Sequence, residues 1–180
     1  FEGPEDQLNL TENTQPALMA HSMAIVKMLK KQGGIKFENA CAFMAGHSLG
    51  EYSALTASGA LDLSVTARLL RTRGKAMQKA VPVGVGAMAA ILGLDLPDVL
   101  AVTKKATAES NKEVVCQAAN DNSDGQVVVS GHAGAVQLAI DYATEAGAKR
   151  AILLPVSAPF HCSLMAPAAQ EMAYALADTV

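Results

Sequence analysis

The first 80 residues combine helical periodicity with one short apolar run. A helix is predicted to start at Gln15-Pro16, because a proline in the first helical turn loses no needed N–H, and to run to about Lys31. Residues 41–45 are apolar and lie between turn signals, which predicts a buried strand. Glycine and aspartate signals then delimit two further helices, one ending near Ser58 and one covering 62–80.

The middle of the chain has a different hydrophobic pattern, in which short apolar runs alternate with amphipathic segments. These segments predict the order βαββαβ, the split arrangement of ferredoxin-like units. The predicted fold class is therefore α/β, with a small subdomain at 86–155 inserted into a larger unit built from 1–85 and 156–180. The predicted strands cover 87–93, 114–119, 126–130 and 149–154, and the helices cover 95–108, 133–146 and, after the insert, 166–177.

Composition excludes several classes of protein. The chain has 180 residues and is 51% hydrophobic, so it is not a disordered polar chain. A net charge of −3 and 4% aromatic residues argue against a nucleic-acid-binding protein. No run approaches the ~18 apolar residues of a membrane helix. The three distant cysteines, Cys41, Cys116 and Cys162, form no CxxC pair, which argues against a disulfide framework and a zinc site and favours a reducing compartment.

The segment Gly46-His47-Ser48-Leu49-Gly50 lies between the predicted strand 41–45 and a predicted helix. A nucleophile elbow needs this arrangement, since a sharp turn exposes the serine hydroxyl and aims the next N–H, that of Leu49, at a developing oxyanion. The alternative is an ordinary glycine-rich connection. On this pattern Ser48 is the candidate nucleophile.

A serine nucleophile needs a base, and His161 is the candidate histidine. It follows a predicted strand, in a loop that contains Pro155 and Pro159, and such loops at strand ends often carry functional groups. It could equally be a loop histidine without a special role. The other three histidines are interpreted as structural, surface or capping residues: His21, His47 and His132.

Arg73 lies at the centre of an apolar stripe on the predicted helix 62–80, whereas Arg68, Arg71 and Lys75 lie on the opposite face. A guanidinium does not lose its proton, so a buried one must meet an anion. That anion is either an internal acid or a substrate carboxylate held through two parallel hydrogen bonds. Together with the serine and histidine, the second alternative indicates acyl transfer with an acidic acyl group.

Six ordered segments resemble the malonyl-CoA:acyl carrier protein transacylase family and span almost the whole chain. They are residues 14–18 (TQPAL), 46–55 (GHSLGEYSAL), 73–78 (RGKAMQ), 86–91 (GAMAAI), 125–132 (GQVVVSGH) and 155–162 (PVSAPFHC). The segments are also similar to the acyltransferase domains of fatty acid and polyketide synthases. The resemblance implies a hydrolase-like core with a parallel sheet, carrying the ferredoxin-like subdomain.

The resemblance also implies roles for individual residues. Ser48 would be the nucleophile, His161 the base, and Arg73 the ligand of the malonyl carboxylate. Phe160, directly before the histidine, favours a malonyl group, and Met77 is grouped with it as a candidate substrate-binding residue, although its helix position alone indicates a structural role. Malonyl-CoA and acyl carrier protein are the implied partners, fatty acid biosynthesis the implied pathway, and no metal or redox cofactor is implied.

The chain departs from the family at both ends. Family members begin with a strand and a Gly-Gln-Gly loop whose glutamine helps to form the oxyanion hole, and they continue beyond the position of Val180 with a carbonyl that orients the histidine. We therefore expect a fragment of a longer protein, monomeric and cytoplasmic, with a mitochondrial or plastid location left open. A serine esterase or thioesterase, or an inactive fragment that keeps the fold, are the alternatives. The acids available to a hydrolase all lie in the predicted insert: Asp95, Asp121, Asp124 and Asp141.

Overall fold

The computed structural model of the chain describes residues 3–110, 114–156 and 158–179. They form two compact units: the first unit is Phe1–Ala76 with Glu171–Val180, and the second unit is Met77–Gln170. The helices are α1 (Glu5–Leu8), α2 (Thr11–Lys31), α3 (Phe37–Ala40), α4 (Gly50–Ser58), α5 (Leu63–Ala80), α6 (Leu96–Glu109), α7 (Ala133–Glu145) and α8 (Ala166–Ala177). The strands are β1 (Gly86–Leu92), β2 (Cys116–Ser123), β3 (Gln126–His132) and β4 (Arg150–Leu153).

Helix α2 begins at Thr11, four residues before the predicted start, so Pro16 lies inside the helix. A proline cannot donate the backbone bond to the carbonyl four residues earlier, here that of Glu12. The side chain of Arg71 donates to that carbonyl instead, at 2.9 Å. The side chain of Arg71 therefore offsets the cost of the proline and binds α5 to α2.

Residues 41–45 are not a strand, and this prediction from the sequence is wrong. A strand needs a hydrogen-bonded neighbour. All strands in the described part of the chain belong to one sheet within Gly86–Leu153, and the side chain of Phe43 is 93% exposed. The apolar run has no strand to pair with among the described residues.

The second unit contains the predicted βαββαβ order. Its sheet has the strand order β2-β3-β1-β4, and every neighbouring pair is antiparallel. Helices α6 and α7 cover one face and bury a core that includes Ile91, Val99, Val127 and Val136. The predicted subdomain limits of 86–155 stay a prediction.

Strand β2 extends to Ser123, beyond the predicted end at residue 119, and its last residues are polar. Two register shifts against β3, between Ala118 and Asn120 and between Asp121 and Ser123, allow this polar segment to stay paired. The turn itself is confined to Asp124-Gly125, where Gly125 has a φ of 67°. No helix in the described residues combines the length and apolar character that a membrane crossing requires.

Candidate active site

Ser48 lies on a sharp turn directly before α4, as the elbow hypothesis predicts, but the strand that the hypothesis places before the turn is absent from the described residues. Its φ is 54°, in the left-handed region that a residue with a side chain rarely adopts. Gly46 makes the turn possible, because a Cβ at that position would lie 1.9 Å from the backbone carbon of Gly50. A Cβ at Gly50 would meet nothing within 4 Å, so only the first glycine of the motif is sterically required by the described residues.

The N–H of Leu49 is available as a donor at this turn. The next three amides are used locally, since Gly50, Glu51 and Tyr52 donate to the carbonyls of residues 47, 48 and 49. Within the described residues, the Leu49 N–H makes no backbone hydrogen bond. The turn can thus present the donor that the predicted oxyanion role requires.

The guanidinium of Arg73 is next to the candidate nucleophile. Its Nη2 donates to Ser48 Oγ at 3.1 Å, and its Nη1 donates to Gln15 Oε1 at 2.7 Å. The ring of Tyr52 lies 5.9 Å from the guanidinium carbon, within the range of a cation–π interaction. Ser48 and Arg73, which are 25 residues apart, are therefore in direct contact, and their roles in a reaction stay a prediction.

The partners of Arg73 are neutral. Among the described residues the only ion pairs are Arg71 with Glu12 and Lys105 with Glu145, so the internal acid considered for Arg73 from the sequence is not found there. Burial lowers the pKa of Arg73, and the nearby Tyr52 and Glu51 act in the opposite direction. A guanidinium remains protonated under these conditions, so the site keeps a positive charge that an incoming anion can neutralise.

Tyr52 shares this environment. Burial raises the pKa of its phenol, the charge of Arg73 lowers it, and Glu51 raises it. The phenol is therefore neutral at physiological pH and offers Arg73 its ring face rather than a negative charge. Sequence reasoning left Tyr52 as a structural residue.

Gln15 was also missed as a site residue from the sequence. It is 3% exposed, and it shares a buried stripe of α2 with Thr11 and Met19, which are 7% and 3% exposed. These positions are spaced by four residues, so a buried amide on an apolar helical face was the signal that could have revealed it.

His161 lies in the second unit, on the loop between β4 and α8. Its φ is 59°, so it is the second residue with a side chain in the left-handed region among those described. Pro159 anchors the loop: it is fully buried, and a Cβ at Gly86 would lie 2.3 Å from its Cγ. His161 is exposed, whereas the neighbouring Phe160 is partly buried.

The remaining candidates lie in both units. Met77, in the second unit, is 6% exposed and is one of the buried apolar residues of α5. His21 and His47, in the first unit, are exposed, and His132 in the second unit accepts a bond from the Val115 N–H through Nδ1, which is a structural role. Of the acids considered for a hydrolase, Asp95 caps α6 by accepting from the Asp98 N–H.

A cavity of about 830 Å³ in the first unit is lined by α3, α4 and the unpaired residues 41–46. Neither Ser48 nor Arg73 lines it. It is therefore not assigned as the place where a reacting acyl group would sit. No group of three His, Cys, Asp or Glu side chains that could hold a metal ion is found in the described residues.

Comparison with known proteins identifies the family of the chain. The family described as "Acyl transferase domain" matches residues 1–180. The chain belongs to the acyl transferase domain family. It is 50% identical to the malonyl CoA-acyl carrier protein transacylase of Escherichia coli K12 over 176 residues, 98% of this chain and 54% of that protein. The transacylase of Bacillus subtilis is 51% identical over 172 residues, 96% of this chain and 52% of that protein.

Solved structures of this family have the same fold. The acyl-carrier-protein-S-malonyltransferase of Bartonella henselae is 55% identical, with a TM-score of 0.92 over 99% of this chain and 55% of that one. A type II polyketide malonyl-transacylase in complex with its acyl carrier protein is 46% identical, with a TM-score of 0.91 over 99% of this chain and 55% of that one. The chain thus spans about half the length of the acyl transferases it matches.

Proposed function

We propose that the protein transfers a malonyl group from malonyl-CoA to the phosphopantetheine thiol of acyl carrier protein, through a malonyl ester of Ser48. The observation that carries the proposal is the 3.1 Å hydrogen bond from Arg73 to Ser48 Oγ, which joins a nucleophile to a cation without an ion-pair partner in the described residues. The names of the relatives support the same reaction.

In the first half-reaction, His161 takes the proton from the Ser48 hydroxyl as the oxygen attacks the thioester carbon. The Leu49 N–H donates to the carbonyl oxygen as it becomes negative. Elsewhere, removing one such donor costs about 3 kcal/mol of transition-state stabilisation. The C–S bond then breaks, and CoA leaves as a thiol with the proton from His161.

In the second half-reaction, the thiol of the carrier protein loses its proton to His161 and attacks the ester carbon. The tetrahedral intermediate collapses, the ester C–O bond breaks, and Ser48 Oγ recovers the proton. The malonyl group ends as a thioester on the carrier, so the bonds and protons balance without a cofactor.

Arg73 would give the reaction its acyl selectivity. A planar guanidinium donates two parallel hydrogen bonds to a carboxylate, and a neutral acetyl group offers no such acceptor. We assign Phe160 and Met77 to the walls around the acyl chain on the strength of the family resemblance. His161 is assigned as the base on the same ground, together with its left-handed backbone.

The finer features of the family are part of this proposal. They are a hydrolase-like core with a parallel sheet formed by 1–85 and 156–180, a ferredoxin-like subdomain at 86–155, a monomeric state, and a cytoplasmic location serving fatty acid biosynthesis.

Mass spectrometry of the complete protein after incubation with malonyl-CoA tests the proposal. We expect one malonyl adduct in the wild type and none in Ser48→Ala. Ser53→Ala is a matched control, because Ser53 is buried in the adjacent helix α4. In this variant the malonyl adduct on Ser48 should form as in the wild type. A malonyl adduct that persists in Ser48→Ala excludes the proposed nucleophile.

The acceptor is tested in the same assay by adding the phosphopantetheinylated carrier protein. Transfer predicts that the adduct moves to the carrier thiol, and His161→Gln should slow both half-reactions. Release of free malonate at the same rate with and without the carrier would instead identify a hydrolase.

A further inference from the structure

A continuous series of hydrogen bonds runs from the first residue of α2 to the nucleophile. Gln15 Nε2 donates to Thr11 Oγ1 at 2.9 Å, and Gln15 Oε1 accepts from Arg73 Nη1 at 2.7 Å. Arg73 Nη2 donates in turn to Ser48 Oγ at 3.1 Å. Thr11 and Gln15 are both buried, at 7% and 3% exposure.

The amide of Gln15 has a donor end and an acceptor end, and the arginine needs the acceptor. If the amide turned over, its NH₂ group would face the guanidinium, donor against donor. The guanidinium, which has only donors, therefore selects the end of the amide that faces it. The hydroxyl of Thr11 accepts from the other end and holds it in place, so that the acceptor that Arg73 meets has a fixed position.

The backbone brings these residues together at Gly74. A Cβ there would lie 2.4 Å from the Glu12 Cα and 2.8 Å from the Thr11 carbonyl oxygen, so α2 and α5 touch at this point. Thr11 and Gln15 lie one turn apart on α2, and Arg73 directly precedes the glycine on α5. The helix contact thus aligns the amide with the guanidinium.

We propose that Thr11 is a positioning residue for acyl selectivity, acting through Gln15 on the orientation of the Arg73 guanidinium. The inference rests on the proposed malonyl transfer and adds a residue that contacts neither the acyl group nor the nucleophile. Two parallel hydrogen bonds to a carboxylate require a fixed guanidinium plane, whereas an acetyl group makes no use of it. Loss of the Thr11 hydroxyl should therefore weaken malonyl recognition and leave acetyl recognition unchanged.

The test compares the rates of Ser48 acylation by malonyl-CoA and by acetyl-CoA in the complete protein. Thr11→Val keeps the shape of the side chain and removes the acceptor. We expect it to lower the malonyl-to-acetyl ratio about tenfold, the factor that corresponds to one hydrogen bond to a charged network. Thr11→Ser, which keeps the hydroxyl, should restore the ratio.

Thr14→Val is the matched control, because Thr14 is a threonine of the same helix whose hydroxyl bonds only to backbone carbonyls of residues 8 and 10 in the described structure. Its malonyl-to-acetyl ratio should equal that of the wild type. Thermal unfolding of each variant separates a loss of folded protein from a loss of selectivity.

A double-mutant cycle with Arg73→Ala gives a second readout. If Thr11 acts through the arginine, Thr11→Val should not change the ratio further once Arg73 is gone. An unchanged ratio in Thr11→Val alone, or an equal further loss in the Arg73→Ala background, overturns the positioning role. Failure of the wild type to form any malonyl adduct would instead refute the proposed function.

Discussion

At the scale of single residues, the neutral hydrogen-bond partners of Arg73 distinguish it from Arg71, two positions earlier. Arg71 bonds to α2 through the Glu12 carboxylate and carbonyl, and its ion pair is partly solvated. Arg73 bonds to an amide and a hydroxyl. Both arginines therefore join α5 to α2, but only Arg73 has no acid as a direct partner and keeps its charge for an incoming anion.

This contrast predicts different outcomes for two alanine variants. Arg73→Ala should slow malonylation of Ser48 on the order of 100-fold, since a desolvated charge pair is lost, while acetylation should become faster. Arg71→Ala should lower stability and leave the malonyl-to-acetyl ratio intact. Single-turnover acylation with both thioesters measures the ratio, and an unchanged ratio in Arg73→Ala would contradict the assigned carboxylate contact.

At the scale of helices and strands, the contact between α2 and α5 depends on the missing side chain of Gly74. Alanine is a better helix former than glycine by about 1 kcal/mol. At this position, however, its methyl group would overlap the backbone of α2. The steric cost should exceed the gain in helix propensity.

We therefore expect Gly74→Ala to lower the free energy of unfolding by about 1–3 kcal/mol and to reduce malonyl selectivity with it. Gly134→Ala in α7 is the matched control, because its Cβ would meet nothing within 4 Å, and it should be neutral or stabilising by up to about 1 kcal/mol. Urea unfolding of both variants provides the comparison. Equal stabilities would show that α2 moves aside without cost.

The secondary structure was predictable where a local signal determines it. Helix α8 has the predicted bounds, and the βαββαβ order follows from apolar runs and turn residues. The prediction of a strand at 41–45 failed because pairing is a property of two segments. The pattern of one segment does not show whether a partner strand exists. The start of α2 was predicted too late because Arg71 donates to the carbonyl of Glu12, 59 residues before it, in place of the backbone bond that Pro16 cannot make.

For the candidate site, the sequence singles out Ser48 and Arg73 because each breaks a local rule: one is a serine framed by glycines, and the other is a charge in an apolar stripe. The structure brings the two side chains into contact, and their roles stay predictions. Gln15 and Tyr52 break no rule strongly, and their proximity to Arg73 arises only from packing between helices. The role of His161 as the base stays a prediction.

At the scale of the whole molecule, stability at alkaline pH depends on a buried thiol. Burial raises the pKa of Cys116 from 9.0 to about 12, with a smaller contribution from the nearby Cys162 thiol. Cys116 is 4% exposed and belongs to the core of the second unit. Between these two pKa values the unfolded chain loses a proton that the folded chain retains, so rising pH favours unfolding.

The contribution of this thiol to the free energy of unfolding should be constant below pH 9. Above pH 9 that contribution should fall by about 1.4 kcal/mol per pH unit. Cys116→Ala removes the titrating group, so its stability should decline less steeply than that of the wild type. Cys41→Ala, which changes an exposed thiol, should follow the wild type. Denaturant unfolding between pH 8 and pH 10.5 gives the slopes, and parallel curves for wild type and Cys116→Ala would contradict the prediction.

The left-handed backbone at Ser48 also limits which nucleophiles this turn can carry. With a φ of 54°, a β-branched side chain would clash with its own main chain, whereas an unbranched one is accommodated at moderate strain. Replacing Ser48 by cysteine would keep the turn. Replacing it by threonine would retain a hydroxyl but lose the backbone geometry that presents it. In this protein the main chain, before any chemistry takes place, excludes one of the two amino acids that carry an aliphatic hydroxyl.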